Sequence, residues 1–303
     1  MVDIIVGGAS KAGTTALFRM LSSNQNFFLP PKKEIHYFSY PFLNKRTSGP
    51  GDNFIISDIT CSFKEYLSLF RFKKAHQVAV DISPSYLFHY NSAEEIHARL
   101  GNTKLVFILR NPVEKIYSQY LHLVSEGRES LAFEDALKAE AQRKAEGYSD
   151  MFLYKESGYY YEGVKHFIER FGKDRVKIIL YQDFVNHPND VLQEICLFSG
   201  LKIPQIFSIN QKANISGSIK SVRLAKFIGP NSITHVARKI IPRSIGHWMR
   251  EQLKKVNRSD REVLEPLIRI ALENNYKDDI EKLEKLIGRK TRWLNQHVER
   301  ISK

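Results

Sequence analysis

"GGASKAGTTALFRML", residues 7–21, follows the apolar opening "VDIIV" and nearly spells a phosphate loop. Gly8 and Gly13 keep the G-x-x-x-x-G spacing of a Walker A motif, but Thr14, not lysine, follows Gly13. The lysine is Lys11, ahead of the second glycine. A β-branched apolar run, glycines and a helical pattern from Thr14 read as strand, loop and helix. Such a junction aims backbone N–H groups and the positive helix end at one spot, which suits an anion. Thr14 and Thr15 add hydroxyls there. In a Walker A loop the lysine after the second glycine reaches the β- and γ-phosphates and a Ser/Thr holds Mg²⁺. With Lys11 moved forward, ATP chemistry has little support.

Further along, "HQVAVD" (76–81), "TKLVFILR" (103–110) and "DRVKIILYQDF" (174–184) are apolar runs that read as buried strands. Helical stretches follow them. In "NPVEKIYSQYLH", Asn111 can cap a helix with Pro112 at its first position, where a missing N–H costs nothing. Continuous apolar strands alternating with helices predict an α/β fold, a parallel sheet covered on both faces. The stretch 130–147 reads as one amphipathic surface helix. No repeat or linker divides the chain, so a single domain is expected over 1–303, with an α/β core over 1–215 and a basic helical part over 216–303.

The 303 residues are 43% hydrophobic and 26% charged, ordinary for a globular chain, with a formal net charge of +13. From Gly217 onward there are 20 Lys/Arg against 10 Asp/Glu, which places most of that surplus near the C-terminus. This fits an anionic ligand, an anionic polymer or a solvated helical face. Cys61 and Cys196 have no metal-ligand spacing and read as buried thiols. No apolar run reaches the roughly 20 residues of a membrane helix. With no basic leader, the chain reads as soluble and cytoplasmic; a clipped luminal domain would give the same reading.

Two strand ends carry cations, Lys11 in the first loop and Arg110 after "LVFIL". That suggests a ligand with two separate anionic groups, neutralised by side chains. The competing reading is a Mg²⁺-dependent P-loop phosphotransferase, with Thr15 and Asp81 as metal ligands. A third is a nucleic-acid or polymer binder using the basic tail.

Together these motifs resemble the sulfotransferases that use 3′-phosphoadenosine 5′-phosphosulfate (PAPS). "KAGTTAL" resembles their 5′-phosphosulfate loop and "ILRNPVEKIYSQYLH" their 3′-phosphate motif. The resemblance covers about residues 4–215, and the "DIEKLEKLIGR…W" ending is similar to prokaryotic members. It implies that Lys11, Ala12, Gly13, Thr14 and Thr15 hold the 5′ end, and that Arg110 and Ser118 hold the 3′-phosphate. The product would be 3′-phosphoadenosine 5′-phosphate (PAP), with no metal required. Lys11 could stabilise charge on the departing phosphate.

"PPKKEIHYFSY" (30–40) resembles the acceptor segment of the carbohydrate, heparan-type branch, which makes Glu34 the general base and His36 a supporting hydrogen-bonding residue. As an isolated stretch it reads equally as an exposed loop. Two departures stand out: Ser39 replaces an acid, and Ile82, in "DISPSYL", replaces a lysine. They point to a sugar or small secondary-metabolite acceptor, with Pro84 and Tyr86 shaping the pocket. No nucleic-acid partner is expected, and the oligomeric state is open. His122 falls on the Ser118 face, as a border to the donor site or a packing residue. His89 has no supporting neighbours in sequence. Of Tyr159, Tyr160 and Tyr161, at least two are expected to pack. Tyr181 can approach the nucleotide. Lys220, or alternatively Arg223, falls where the family brings a late loop over the 3′-phosphate.

Overall fold

Apolar runs with no polar alternation form strands only where both faces are covered, and that is what they do here. The computed structural model describes residues 2–101, 103–201 and 264–294. Its strands are β1 (Ile4–Gly8), β2 (Phe27–Phe28), β3 (Val78–Ile82), β4 (Lys104–Leu109) and β5 (Val176–Leu180). They form one five-stranded sheet in the order β2-β3-β1-β4-β5, every pairing parallel. Every residue of β1 and β3 is buried, as is all of β4 after Lys104. Strand β2 escapes the sequence reading because its two residues carry no period.

The chain runs from β1 to one side of the sheet, then returns to the other side with β4. Ligands of open parallel sheets bind outside the carboxyl ends at such a switch point. Here those ends are Gly8, Ile82, Leu109 and Leu180. The segments with Lys11, Ser83–Ser85, Arg110 and Tyr181 follow them directly.

Helix Pro112–Ser125 starts as the sequence predicts: the Asn111 side chain accepts from the N–H groups of Val113 and Glu114. Its other end of the amide donates to the Trp293 carbonyl, which ties the C-terminal segment to β4. The predicted helix over 130–147 is instead two short ones, Phe133–Lys138 and Glu140–Ala145.

Helix Pro266–Ile287 packs on the same core through Leu272, Tyr276, Ile280 and Leu283. From it, Asp279 accepts from the N–H groups of Tyr160 and Tyr161, at the start of helix Tyr161–Phe171. Cys196 is buried as expected, whereas Cys61 is exposed. Cys61 sits just before helix Phe63–Ser68, in which Tyr66 is the one buried residue. No helix among the described residues is long and apolar enough to cross a membrane.

Candidate functional site

The loop after β1 is held tight from behind. A Cβ on Gly8 would come within 2.5 Å of the Leu87 Cβ, so the chain passes that wall only as glycine. Gly13 has φ of +88°, and a Cβ there would sit 3.1 Å from both Tyr181 and Phe184. Helix Thr14–Ser22 begins at this residue. Lys11 also adopts the left-handed region, with φ of 61°, unusual for a residue with a side chain. Thr14 is buried and Thr15 is exposed at the helix start.

Arg110 reaches back onto this loop. Its Nη1 donates to the Lys11 carbonyl at 3.1 Å, and its guanidinium lies 4.8 Å from the Tyr181 ring centroid. Glu114 is 3.6 Å away on the next turn and also pairs with Arg269 of the C-terminal helix. The Arg110 carbonyl accepts from the Tyr160 hydroxyl at 2.9 Å. Ser118 is buried two turns into the same helix. The two predicted anion-gripping segments are therefore neighbours at adjoining strand ends.

The segment 34–36 crosses the end of β3. The Glu34 N–H donates to the Ile82 carbonyl at 3.1 Å, and the His36 N–H to the Ser83 hydroxyl at 3.0 Å. Both residues have left-handed backbones, with φ of 59° and 56°. Held strain in non-glycine residues clusters at functional sites because the surroundings over-determine it. Lys33, which sequence reasoning gave no role, joins the two halves. Its ammonium donates to Thr15 Oγ1 at 3.1 Å and to the Glu34 carboxylate. The only signal in sequence was its position beside Glu34.

Burial alone would push the Glu34 carboxyl up, but the Lys33 ammonium and His36 outweigh it, and the carboxyl titrates below its usual range. His122 contributes in the same direction, so it lies on the Glu34 side of the site. Burial holds the His36 imidazole below its usual range, although Glu34 and Asp150 oppose the shift. Both directions favour an ionised carboxylate next to an uncharged imidazole, the pairing a base and its helper would need.

Asp81 is engaged differently. It is fully buried and accepts from the hydroxyls of Ser83 at 2.6 Å, Tyr86 at 3.0 Å and Tyr66 at 3.2 Å. Burial raises it to about 6 despite those bonds. A carboxylate has about four acceptor positions, and three are filled by core hydroxyls. Its task is to fix the β3 end under His36, which leaves a Thr15–Asp81 metal pair without support. Among the described residues no cluster of three His, Cys, Asp or Glu side chains is placed to share a metal.

The remaining candidates divide. His89 has neighbours after all: its Nε2 is 2.8 Å from Asp150 and its ring stacks on Phe42. Tyr160 is buried, Tyr159 is half-exposed against Tyr276, and Tyr161 lies under Lys165 and Lys282. Pro84 and Tyr86 lie in the wall behind the loop, Tyr86 fully buried. Lys220 and Arg223 lie outside the described residues, as does most of the basic C-terminal part. Lys115, buried beside Ser118, was not singled out by the sequence.

Residues 3–205 match the family model described as the sulfotransferase family. A crystal structure of a sulfotransferase from Alicyclobacillus acidocaldarius superposes with a TM-score of 0.75 at 26% identity, covering 97% of this chain and 98% of that one. A membrane-associated sulfotransferase of Dictyostelium discoideum, kil1, is 31% identical over 118 residues, which are 39% of this chain and 22% of that protein. The chain thus matches only about a fifth of that relative's length.

Proposed function

The chain belongs to the sulfotransferase family, and we propose that it moves a sulfuryl group from PAPS to a hydroxyl or amine of a carbohydrate or small secondary-metabolite acceptor. The observation that carries this reading is the linkage of three segments at one sheet edge. Arg110 is bonded to the Lys11 carbonyl, and Lys33 bridges Thr15 to Glu34. The donor has an anion at each end, and the two strand-end cations suit both.

In this reading the loop from Lys11 through Ala12, Gly13, Thr14 and Thr15 binds the 5′-phosphosulfate with its N–H and hydroxyl groups. Arg110 and Ser118 hold the 3′-phosphate, which ATP and ADP lack, with Lys220, outside the described residues, as a further proposed contact. The acceptor oxygen or nitrogen attacks sulfur in line as the sulfur–oxygen bond to the 5′-phosphate breaks. Glu34 takes the proton that the acceptor loses, and Lys11 stabilises charge on the departing phosphate, leaving PAP. The cations already present do the work that Mg²⁺ does in a phosphotransferase, so no metal is required. The engagement of Asp81 by core hydroxyls also disfavours that alternative.

The test is calorimetric titration of the full chain with PAP, with ADP as comparator and EDTA present, on the parent and on Arg110→Ala. Tighter, metal-free binding of PAP that is lost in the variant is the expected result. Equal binding of both nucleotides, or binding only with Mg²⁺, would overturn the proposal.

A further inference from the structure

His36 sits in a closed ring of hydrogen bonds whose directions can be worked out. Its Nδ1 is 2.6 Å from Ser85 Oγ, Ser85 Oγ is 2.6 Å from Ser39 Oγ, and Ser39 Oγ is 3.1 Å from the His36 carbonyl. A carbonyl only accepts, so the Ser39 proton points to it. The Ser39 oxygen must then accept from Ser85, because the one Ser39 proton is already used. Ser85 has likewise spent its proton, so its oxygen accepts from the imidazole. Only one arrangement satisfies all three contacts, and in it Nδ1 carries the hydrogen.

The other ring nitrogen faces Glu34, at 3.9 Å from Oε2. That separation is too long for a hydrogen bond. It fits two acceptors facing each other with no hydrogen between them, the same tautomer reached from the opposite side of the ring. Burial favours the neutral imidazole in this state. Besides Glu34, the charged or titratable groups that reach the ring are Asp150, Lys33 and His89. The ring is fixed from the main chain as well, since the His36 N–H is held by Ser83, which in turn donates to Asp81.

We propose that Ser85 and Ser39 are positioning residues that hold His36 as its Nδ1–H tautomer, so that its Nε2 lone pair and the Glu34 carboxylate form a dyad able to take up one proton. The inference rests on the reading of Glu34 as the base, and it changes the part His36 plays. His36 is then a second proton acceptor and not a donor to Glu34. When the acceptor's bond to sulfur forms, its proton moves to a Glu34 oxygen and from there to His36 Nε2. That step regenerates the carboxylate and leaves an imidazolium, whose Nε2–H can close the gap to Glu34. The imidazolium returns the proton to water after the products leave.

The tautomer can be read without any acceptor. The full chain is prepared with ¹⁵N-labelled histidine, and two-bond ¹H–¹⁵N spectra are recorded, with the His36 signals identified by their loss in His36→Gln. In the parent, Nδ1 should give the protonated and Nε2 the unprotonated nitrogen shift. Ser85→Ala removes the acceptor for Nδ1–H and should shift the ring toward the Nε2–H form; Ser85→Thr, which keeps the hydroxyl, should restore the parent pattern. Ser39→Ala provides an independent check, because the Ser85 proton is then released to turn toward Nδ1. Glu34→Gln should lower the pH at which His36 titrates, since the carboxylate that favours its protonation is gone.

An Nε2–H tautomer in the parent, no change in both serine-to-alanine variants, or a His36 titration indifferent to Glu34→Gln would each overturn the proposal. PAP titration of the same samples keeps the two readings apart. Failure of PAP binding in the parent counts against sulfuryl transfer, whereas the nitrogen shifts report on the serine ring alone.

Discussion

The Arg110 guanidinium donates to the Lys11 carbonyl at 3.1 Å, so the end of β4 fixes the loop that follows β1. One side chain therefore links the two segments proposed to bind the donor's anionic groups. It does so through a planar fork, with Nη1 on the loop, Nη2 towards Glu114 and the flat face over Tyr181. Lysine keeps the charge but cannot make all three contacts. Arg110→Lys should weaken PAP binding by about tenfold, roughly the worth of one good hydrogen bond. Affinity for ADP should fall less. Calorimetry on the two proteins decides it; equal losses for both nucleotides would place Arg110 away from the 3′-phosphate.

Glu34 is the proposed base; burial alone would raise its carboxyl, but Lys33 and His36 hold it below its ordinary value. Glu34→Gln keeps the size and the contact with Lys33 but cannot take a proton. Turnover of PAPS to PAP with an accepted sugar or small hydroxyl compound should fall about 10²- to 10⁴-fold. PAP affinity should change little. A variant that loses PAP binding and turnover together would assign Glu34 to the donor site instead.

Gly13 combines a left-handed backbone with near contact to Tyr181 and Phe184. Gly13→Ala asks the helix start to accept a Cβ where φ is +88°. Left-handed backbone costs an ordinary residue about 1–2 kcal/mol. The urea midpoint should drop accordingly, and PAP binding should weaken, since the loop cannot relax without moving Tyr181 off Arg110. Unchanged stability would mean that the aromatic wall yields freely.

The sheet was legible because its inner strands are buried on both faces and so are written as unbroken apolar runs. The two strand-to-helix junctions proposed to hold the donor were legible as junctions for a related reason: glycines between a strand and a helix have few other uses, and Asn111-Pro112 marks a helix start in any context. What sequence could not reveal is the left-handed backbone at Lys11, Glu34 and His36, residues that carry no glycine-like signal. Nor could it pair Ser39 with Ser85, or His89 with Asp150, because those contacts depend on how loops from distant strand ends fold over one another. Cys61 was misjudged for the opposite reason: a small apolar residue is usually buried, but among the described residues this one is exposed.

Lys115 offers a test of the packing beneath the site. Its ammonium is buried and donates to Gln119 Oε1 and to the carbonyl and hydroxyl of Ser157. Burial nevertheless draws it down from 10.5 to about 7, with Asp150 and Glu140 pulling the other way. The folded-state value is the lower one, so between about pH 7 and 10 the unfolded chain binds more protons than the folded chain. Stability from this group should therefore rise with pH across that window, by at most about 1.4 kcal/mol per pH unit. Below about pH 7 both states are protonated and the dependence ends. Lys115→Met fills the same channel without a charge and should flatten the rise. Urea unfolding of parent and variant at several pH values across the window measures the difference, with the parent's other titrating groups cancelling between the two. Parallel curves would show that the hydrogen bonds Lys115 donates to Gln119 and Ser157 keep it charged when folded.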